Sequence, residues 1–363
     1  MIKLGIIGCG YWGPNLVRNF NELGNAEVTI VSDLRSDRLN FIKKKYPDLE
    51  VTIDHKQVLE NSHIDAVVLA TPVDTHYTLA STALKNGKSV FVEKPLTSSV
   101  SEAEGLIEEA ERNNRVLMVG HTFVYTGAVS KIKDLIDKKE LGDIYYFDSV
   151  RVNLGLFRPS ANVIWDLAPH DISIMDYLLS SDPQYVGAVG ACHSGTGIEN
   201  IAYITVSYPN NLLAHIHVNW LAPVKLRKIL ISGSKKMVVY DDAEPDEKVK
   251  IYDKGIILND NRDKLYEQMV GYRIGDMHAP KLDTTEALRS ECAHFIDCVG
   301  NGRIPLTDGY AGLRVVQILE AAEFSMKNNN ERVNIRCIRK SQTMSKSEKD
   351  AKSSISLTSM AAV

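Results

Sequence analysis

Three glycines spaced as GxGxxG restrict the fold of this 363-residue chain more than any other segment of its sequence. They follow an apolar run, Leu4–Ile7, and precede a segment of helical period; the full motif reads Gly8-Cys9-Gly10-Tyr11-Trp12-Gly13. In a strand–turn–helix unit the first glycine permits the tight turn, the second lets the main chain approach a diphosphate, and the third lets the helix pack on the strand. The amides and the dipole at the helix start favour that diphosphate. The motif therefore predicts a dinucleotide-binding unit.

An acidic residue at the end of the next predicted strand bears on which dinucleotide binds. Asp33 follows Gly13 by 20 residues, a position from which a carboxylate accepts hydrogen bonds from the adenosine ribose and repels a 2′-phosphate. Arg35 is the counter-argument, because an arginine there can bind that phosphate. We expect NAD rather than NADP. The alternative is a glycine-rich turn for another nucleotide, although the lack of a GK[ST] sequence excludes a P-loop.

The order of predicted elements indicates two domains of an α/β fold. Over the first 120 residues short β-branched runs alternate with helical segments, which predicts a Rossmann-type, doubly wound parallel sheet. Between Tyr185 and Tyr240 strand-like runs follow one another without helices, which predicts a largely antiparallel open sheet. Two helices and a strand at Val333–Cys337 complete the predicted fold. We assign 1–122 to the dinucleotide-binding domain, 123–338 to a substrate and oligomerisation domain, and 339–363 to a disordered tail.

Composition excludes several classes of function. The formal net charge is −4, from 42 basic and 46 acidic residues, so there is no sign of a general nucleic-acid binder. No apolar run approaches the roughly 18 residues of a membrane span, and no secretory signal pattern is visible. The five cysteines form no CxxC pair, so neither a disulfide framework nor a zinc site is suggested. We expect a soluble cytoplasmic protein that binds neither nucleic acid nor membrane.

Two strand ends carry the first candidate site residues. Lys94 stands in Glu93-Lys94-Pro95, directly after a predicted strand, and a lysine at the carboxyl edge of a parallel sheet points into the ligand crevice. An isolated lysine is more often a surface residue, but this position favours a functional one. The neighbouring strand ends at the same edge; we expect the side chains there, together with Glu93, to line the cofactor: Thr71, Pro72 and His76.

A second candidate lies at the start of the predicted helix Leu167–Leu179. Asp166 and His170 are four residues apart, so they share one face of a helix. We expect Asp166 to cap this helix and Pro169 to lie in its first turn. A carboxylate and an imidazole can together handle an alcohol proton near neutral pH, although an N-cap plus a buried histidine explains the same pair. No third ligand has metal-site spacing, so no metal is expected.

In this order and spacing the motifs resemble the glucose–fructose oxidoreductase / inositol dehydrogenase / MocA (Gfo/Idh/MocA) family, and Glu93-Lys94-Pro95 is its most specific mark. The resemblance runs from Ile2 to about Ile338. It implies an NAD-dependent enzyme whose open sheet faces the nicotinamide on one side and often a partner subunit on the other, as a homodimer or homotetramer. It implies that Lys94 hydrogen-bonds the reacting hydroxyl, that His170 is the acid/base, and that Asp166 accompanies it.

Two further segments, Arg151–Leu156 and Asn162–Asp166, resemble the branch of that family that acts on nucleotide sugars. Members of this branch oxidise a UDP-linked N-acetylhexosamine or its uronic acid at C3, which is the substrate class we expect. Thr126 departs from the family, because many members have an asparagine there. The alternatives are a free polyol dehydrogenase, such as an inositol 2-dehydrogenase, and a non-catalytic NAD-binding sensor. A sensor would not need the complete set of Lys94, Asp166 and His170.

Overall fold

A computed structural model describes residues 1–155, 161–258 and 270–335. Within these ranges the N-terminal part forms a parallel sheet of six strands: β1 Ile2–Ile7, β2 Ala26–Ser32, β3 Glu50–Thr52, β4 Ala66–Leu69, β5 Ser89–Glu93 and β6 Leu117–Gly120. Their spatial order, β3-β2-β1-β4-β5-β6, is that of the Rossmann fold and confirms the predicted parallel sheet. Every residue of β4 and β5 is buried, as expected for strands covered on both faces.

Five helices connect these strands: α1 Gly13–Asn21, α2 Ser36–Lys45, α3 Lys56–Leu59, α4 His76–Lys85 and α5 Val100–Arg112. The remaining α-helices in the described ranges are α6 Gly127–Asp137, α7 Val163–Leu179, α8 Ala287–Asn301 and α9 Gly309–Lys327. None of the helices in the described ranges is long and apolar enough to cross a membrane.

The second sheet has nine strands in the described ranges: β7 Ile144–Leu154, β8 Tyr185–Ala191, β9 Ile201–Ser207, β10 Leu213–Asn219, β11 Leu221–Gly233, β12 Met237–Asp241, β13 Val249–Tyr252, β16 Met277–His278 and β17 Val333–Asn334. A separate hairpin joins β14 Gly255–Leu258 to β15 Val270–Arg273. The sheet order is β16-β13-β12-β11-β7-β10-β9-β8-β17, and only the β7–β10 pair is parallel among the neighbours described. The prediction of a largely antiparallel sheet is therefore confirmed. The last two residues of the strand predicted at Val333–Cys337, and the tail 339–363, lie outside the described residues.

The two faces of this second sheet differ in character. The inner face is apolar and packs against α6, α7 and part of α9. The outer face exposes large side chains, among them Val189, Tyr203 and Leu213. There the ring of Tyr203 stacks on His217, with centroids 4.4 Å apart. Oligomerisation through this outer face stays a prediction.

The last two helices return to the first sheet, although they follow the second sheet in the chain. Phe295 on α8 contacts Phe20 and Phe91, with ring centroids 6.2 and 5.6 Å away. On α9, a Cβ at Gly312 would lie 2.7 Å from the Val119 side chain, so the helix approaches β6 closely because this position is glycine. Of these two helices, α9 contributes side chains to the cores of both sheets, whereas α8 packs on the core of the first sheet.

Candidate active site

The glycine turn has the three local geometries that its motif predicts. Gly8 has φ +99°, and a Cβ there would clash with the carbonyl of Ala70. At Gly13 a Cβ would clash with the carbonyl of Gly8, whereas at Gly10 it would meet nothing within 4 Å. The turn therefore presents bare backbone to open space at Gly10, where a diphosphate needs to approach. This fits a dinucleotide.

Two aromatic residues of the motif lie on the surface beside this open space. Tyr11 and Trp12 are both exposed, and their rings meet edge to face at 5.4 Å between centroids. Trp12 occupies the N-cap position of α1, and Pro14 lies in the first turn of that helix. A missing amide hydrogen is tolerated there. The rings therefore flank the helix start that would hold the diphosphate.

The carboxylate of Asp33 lies against the glycine turn. Its Oδ2 accepts a hydrogen bond from the Cys9 amide at 2.6 Å, and its Oδ1 accepts one from the Arg35 amide at 2.8 Å. Each carboxylate oxygen has a second lone pair, so ribose hydroxyls still find acceptors. The guanidinium of Arg35 is instead paired with Asp37 at 2.8 Å, a contact that sequence reasoning missed and that competes with a 2′-phosphate for the arginine.

His76 joins the two strand ends at the carboxyl edge of the sheet. Its Nδ1 lies 2.9 Å from the carbonyl oxygen of Pro95, and its Nε2 lies 3.0 Å from that of Thr71. The ring is buried, and burial lowers its pKa. The Thr71 hydroxyl accepts a hydrogen bond from Thr75, and Pro72 is exposed beside it. Both nitrogens of His76 thus face main-chain carbonyls, which fixes the turn that carries Lys94.

Lys94 connects the two domains at the candidate site. The residue follows β5 and is half-buried, and its peptide bond to Pro95 is cis. Its Nζ donates a hydrogen bond to the carbonyl oxygen of Asp166 at 2.8 Å. The lysine of the first domain and the Asp166–His170 pair of the second are therefore brought together, as the sequence predicts.

The start of α7 corrects one expectation. The helix begins at Val163 rather than Leu167, and Asn162 is its cap, because its side chain accepts a hydrogen bond from the Trp165 amide. Asp166 therefore lies in the first turn instead of capping, and its carboxylate accepts a hydrogen bond from Trp220 at 3.1 Å. Pro169 lies inside the helix rather than in its first turn. Asp166 and His170 still share a face.

His170 lies in a strongly cationic environment. Its ring meets the Phe123 ring edge to face at 5.0 Å, and the guanidinium carbons of Arg151 and Arg227 lie 4.5 and 5.6 Å from the same Phe123 centroid. Burial lowers the pKa of His170 well below its usual range, and the charges of Lys94, Arg151 and Arg227 lower it further. The imidazole is therefore neutral at pH 7, and the same surroundings make it a weaker base than an ordinary histidine.

Buried carboxyls lie behind Lys94. Glu93 is 7% exposed and lies over Gly120, where a Cβ would be 3.3 Å from its carboxyl carbon. Burial raises the pKa of Glu93 to about 7. Glu291 on α8 is fully buried and accepts a hydrogen bond from Thr122 at 2.7 Å, and burial followed by the charge of Glu93 raises its pKa. His121 is fully buried beside them, and burial lowers its pKa to about 3.

Several of these residues were not predicted from the sequence as site residues: Phe123, Arg151, Arg227 and Glu291. Side chains alternate between the two faces of β7 and β11, and Arg151 and Arg227 stand at positions that face the same side as buried apolar residues. This alternation is the sequence signal that could have identified the two arginines as inward-facing. Nothing in the sequence of α8 marks Glu291 as buried. Thr126, where the family often has asparagine, caps α6 by accepting a hydrogen bond from Val129.

Other parts of the described structure offer no competing site of the same kind. A cavity of about 700 Å³ lies at the opposite, amino edge of the parallel strands, lined by residues such as Asp65, Lys88 and Arg115. It contains none of the candidate catalytic residues. Within the described ranges no group of three or more His, Cys, Asp or Glu side chains is placed to hold a metal ion.

Comparisons with known proteins agree with this geometry. Residues 2–121 match the model of an oxidoreductase family with an NAD-binding Rossmann fold, and residues 129–239 match the GFO/IDH/MocA C-terminal domain. The chain belongs to the Gfo/Idh/MocA family. It is an oxidoreductase with an NAD-binding Rossmann domain, and the predictions of family, enzyme class and cofactor are confirmed.

Three similar proteins illustrate the range of the family. Myo-inositol 2-dehydrogenase of Thermotoga maritima is 23% identical over 337 residues, which cover 90% of this chain and 96% of that protein. The structure of UDP-N-acetylglucosamine 3-dehydrogenase GnnA from Acidithiobacillus ferrooxidans has a TM-score of 0.76 at 22% identity, covering 90% of this chain and 98% of that one. An oxidoreductase from Agrobacterium radiobacter in complex with NAD⁺, L-tartaric acid and magnesium has a TM-score of 0.75 at 18% identity, with 92% and 98% covered.

Proposed function

We propose that this protein oxidises a secondary alcohol of a sugar, at C3 of a UDP-linked N-acetylhexosamine or its uronic acid, and transfers the hydride to NAD. The observation that carries the proposal is the meeting of Lys94, Asp166 and His170 from two domains at the carboxyl edge of the first sheet. The segments Arg151–Leu156 and Asn162–Asp166 support the nucleotide-sugar class by their resemblance to that branch of the family.

The chain's own residues supply the proton chemistry of this reaction. NAD, when bound, supplies the hydride acceptor. Oxidation of the alcohol also releases the hydroxyl proton, and the neutral imidazole of His170 accepts it. The ammonium group of Lys94 hydrogen-bonds the same oxygen and stabilises negative charge that develops there. Anchoring Lys94 on the Asp166 carbonyl holds it close to His170 before the sugar arrives.

A substrate panel tests the reaction. Purified protein with NAD is offered UDP-N-acetylglucosamine, its uronic acid, myo-inositol and free aldoses, and NADH is followed by its absorbance. We expect turnover with the UDP-sugars. Efficient turnover with myo-inositol alone would instead make the protein a free polyol dehydrogenase, and no NADH with any sugar would contradict the proposed class.

Two variants test the assigned residues. Lys94→Ala and His170→Ala should each lower kcat by roughly 10²-fold or more, the scale of lost acid–base catalysis, while NAD affinity stays nearly unchanged. Lys85→Ala is the matched control, because this lysine lies on the exposed surface of α4. Stopped-flow hydride transfer beside an NAD titration separates the effects. Near-normal hydride transfer in Lys94→Ala would refute its role, and lost NAD affinity would make it a cofactor ligand.

A further inference from the structure

Two arginines stand directly opposite each other on the inner face of the second sheet. Arg151 on β7 pairs with Arg227 on β11, and like charges in such cross-strand positions are destabilising. They are compensated differently. Arg151 is buried and forms two hydrogen bonds with Asp171, at 2.7 and 3.0 Å. Its charge is therefore matched by one carboxylate within the core.

The charge on Arg227 is matched less completely. Its Nη1 lies 3.2 Å from Oδ2 of Asp242, but the other oxygen of that carboxylate lies 3.3 Å from Nζ of Lys248 and also accepts a hydrogen bond from Tyr240. Two cations thus share one carboxylate. The Arg227 side chain is 33% exposed, whereas that of Arg151 is 5% exposed, so solvent reaches Arg227 but hardly reaches Arg151.

The position of Arg227 connects this excess charge to the reacting centre. Its guanidinium lies over the Phe123 ring, whose edge meets His170, so one aromatic ring separates it from the proposed base. The guanidinium carbon lies 5.6 Å from the Phe123 centroid, which lies 5.0 Å from the His170 centroid, so Arg227 is placed to meet a substituent remote from the oxidised carbon rather than that carbon itself.

We propose that Arg227 is a specificity residue that binds an anionic oxygen group of the sugar substrate. The proposal rests on the proposed function and adds a selection for acidic or phosphorylated sugars over neutral polyols. A guanidinium suits this role because its planar fork matches the two oxygens of a carboxylate or phosphate. Such a group would also offset the cations that lower the pKa of His170, and would thereby move the base towards the neutral range.

The anion has two possible sources in a nucleotide sugar, the uronate carboxylate and the diphosphate, and paired substrates distinguish them. UDP-N-acetylglucosamine and its uronic acid differ only in the carboxylate. Glucose and glucuronic acid differ in the same way but carry no phosphate. Myo-inositol is the neutral reference. For each compound kcat/KM is measured with NAD for the wild type, Arg227→Met and Arg227→Lys, and binding to the NAD-loaded protein is measured by calorimetry.

We expect Arg227→Met to lose about 10- to 100-fold in kcat/KM for the anionic compounds, the range of one hydrogen bond to a charged group, and less than about 3-fold for neutral ones. Arg227→Lys should recover part of the loss, because it keeps the charge without the fork. Arg289→Met is the control, since this exposed arginine pairs with Glu22 on another face. A loss confined to uronic acids identifies the carboxylate; a loss with both UDP-sugars but not with glucuronic acid identifies the diphosphate.

Equal losses on neutral and anionic compounds, or no loss in Arg227→Met, would overturn the specificity role while leaving the dehydrogenase function intact. A wild type that oxidises only neutral polyols would overturn both the specificity role and the proposed nucleotide-sugar substrate. If no compound yields NADH but calorimetry shows Arg227-dependent binding of an anionic sugar, the proposed reaction fails and the anion site stands. Thermal unfolding shows whether each variant is folded. If Arg227→Met is not folded, the kinetics of Arg227→Lys decide between the outcomes.

Discussion

The buried carboxyl of Glu93 should make the stability of this protein depend on pH. The side chain is 7% exposed, and one of its oxygens is buried with no hydrogen-bond partner among the described residues. Burial raises its pKa from 4.5 to about 7, and Lys94 offsets only part of that rise. The rise of the pKa from 4.5 to about 7 corresponds to about 3.4 kcal/mol, at about 1.36 kcal/mol for each pH unit.

The sign of this effect follows from which state binds the proton. Between pH 4.5 and 7 the folded protein keeps the proton of Glu93 while the unfolded chain releases it, so stability falls as pH rises through this interval. Below the interval the carboxyl is neutral in both states and contributes nothing. Above it the full cost of an ionised buried carboxyl is present, and further increases in pH add nothing.

The substitution Glu93→Gln removes this titration and keeps the shape of the side chain. The difference in free energy of unfolding between the variant and the wild type should grow by about 3 kcal/mol, in favour of the variant, as the pH rises from 4.5 to 8. Urea denaturation followed by circular dichroism, without NAD, measures this difference at each pH. Glu60→Gln is the control, because that carboxyl is exposed on the surface. A difference between Glu93→Gln and the wild type that stays constant within about 1 kcal/mol over this range would refute the reasoning.

Two other predictions concern the cofactor and the core. Asp33→Ala should weaken NAD binding and narrow the preference for NAD over NADP. Asp37→Ala should increase the affinity for NADP, because it releases the guanidinium of Arg35. Fluorescence titration with both cofactors measures these affinities, and a wild type that prefers NADP would contradict the prediction. Asp171→Ala should lower the free energy of unfolding by about 3–5 kcal/mol, because it leaves Arg151 buried without its carboxylate. The double variant Arg151→Met with Asp171→Leu should lose less stability. Urea denaturation measures both, and a loss below about 1 kcal/mol in Asp171→Ala would exclude a strong ion pair.

The Rossmann sheet and its glycine turn could be predicted because they depend on local sequence. The continuous apolar runs of β4 and β5 and the GxGxxG spacing each specify their structure without distant partners. The strand pattern after Tyr185 likewise predicted the second sheet. The start of α7 could not be predicted in the same way. The first turn, Val163–Trp165, is an apolar run without helical periodicity, and Pro169 suggests that the helix begins later than it does.

The charged residues of the site could not be predicted in this way, because their roles depend on contacts between segments that are distant in the sequence. Glu291 lies in an amphipathic helix, where a glutamate ordinarily faces water, and only the packing of α8 against the first sheet buries it. Arg227 stands in a segment rich in basic residues, and such segments usually form the solvent-exposed face of a strand. Its significance comes from its cross-strand partner Arg151 and from the shared carboxylate of Asp242.

The return of α8 to the first sheet has a consequence for how this chain acquires its structure during synthesis. Arg18 on α1 pairs with Glu286, 268 positions later, at the start of α8. Phe20 and Phe91 need Phe295 from the same helix to complete their aromatic cluster. Residues 1–295 must therefore be synthesised before the cofactor domain can complete its core. Contacts of such long sequence separation slow folding, and the incomplete cofactor domain exposes apolar surface until α8 emerges.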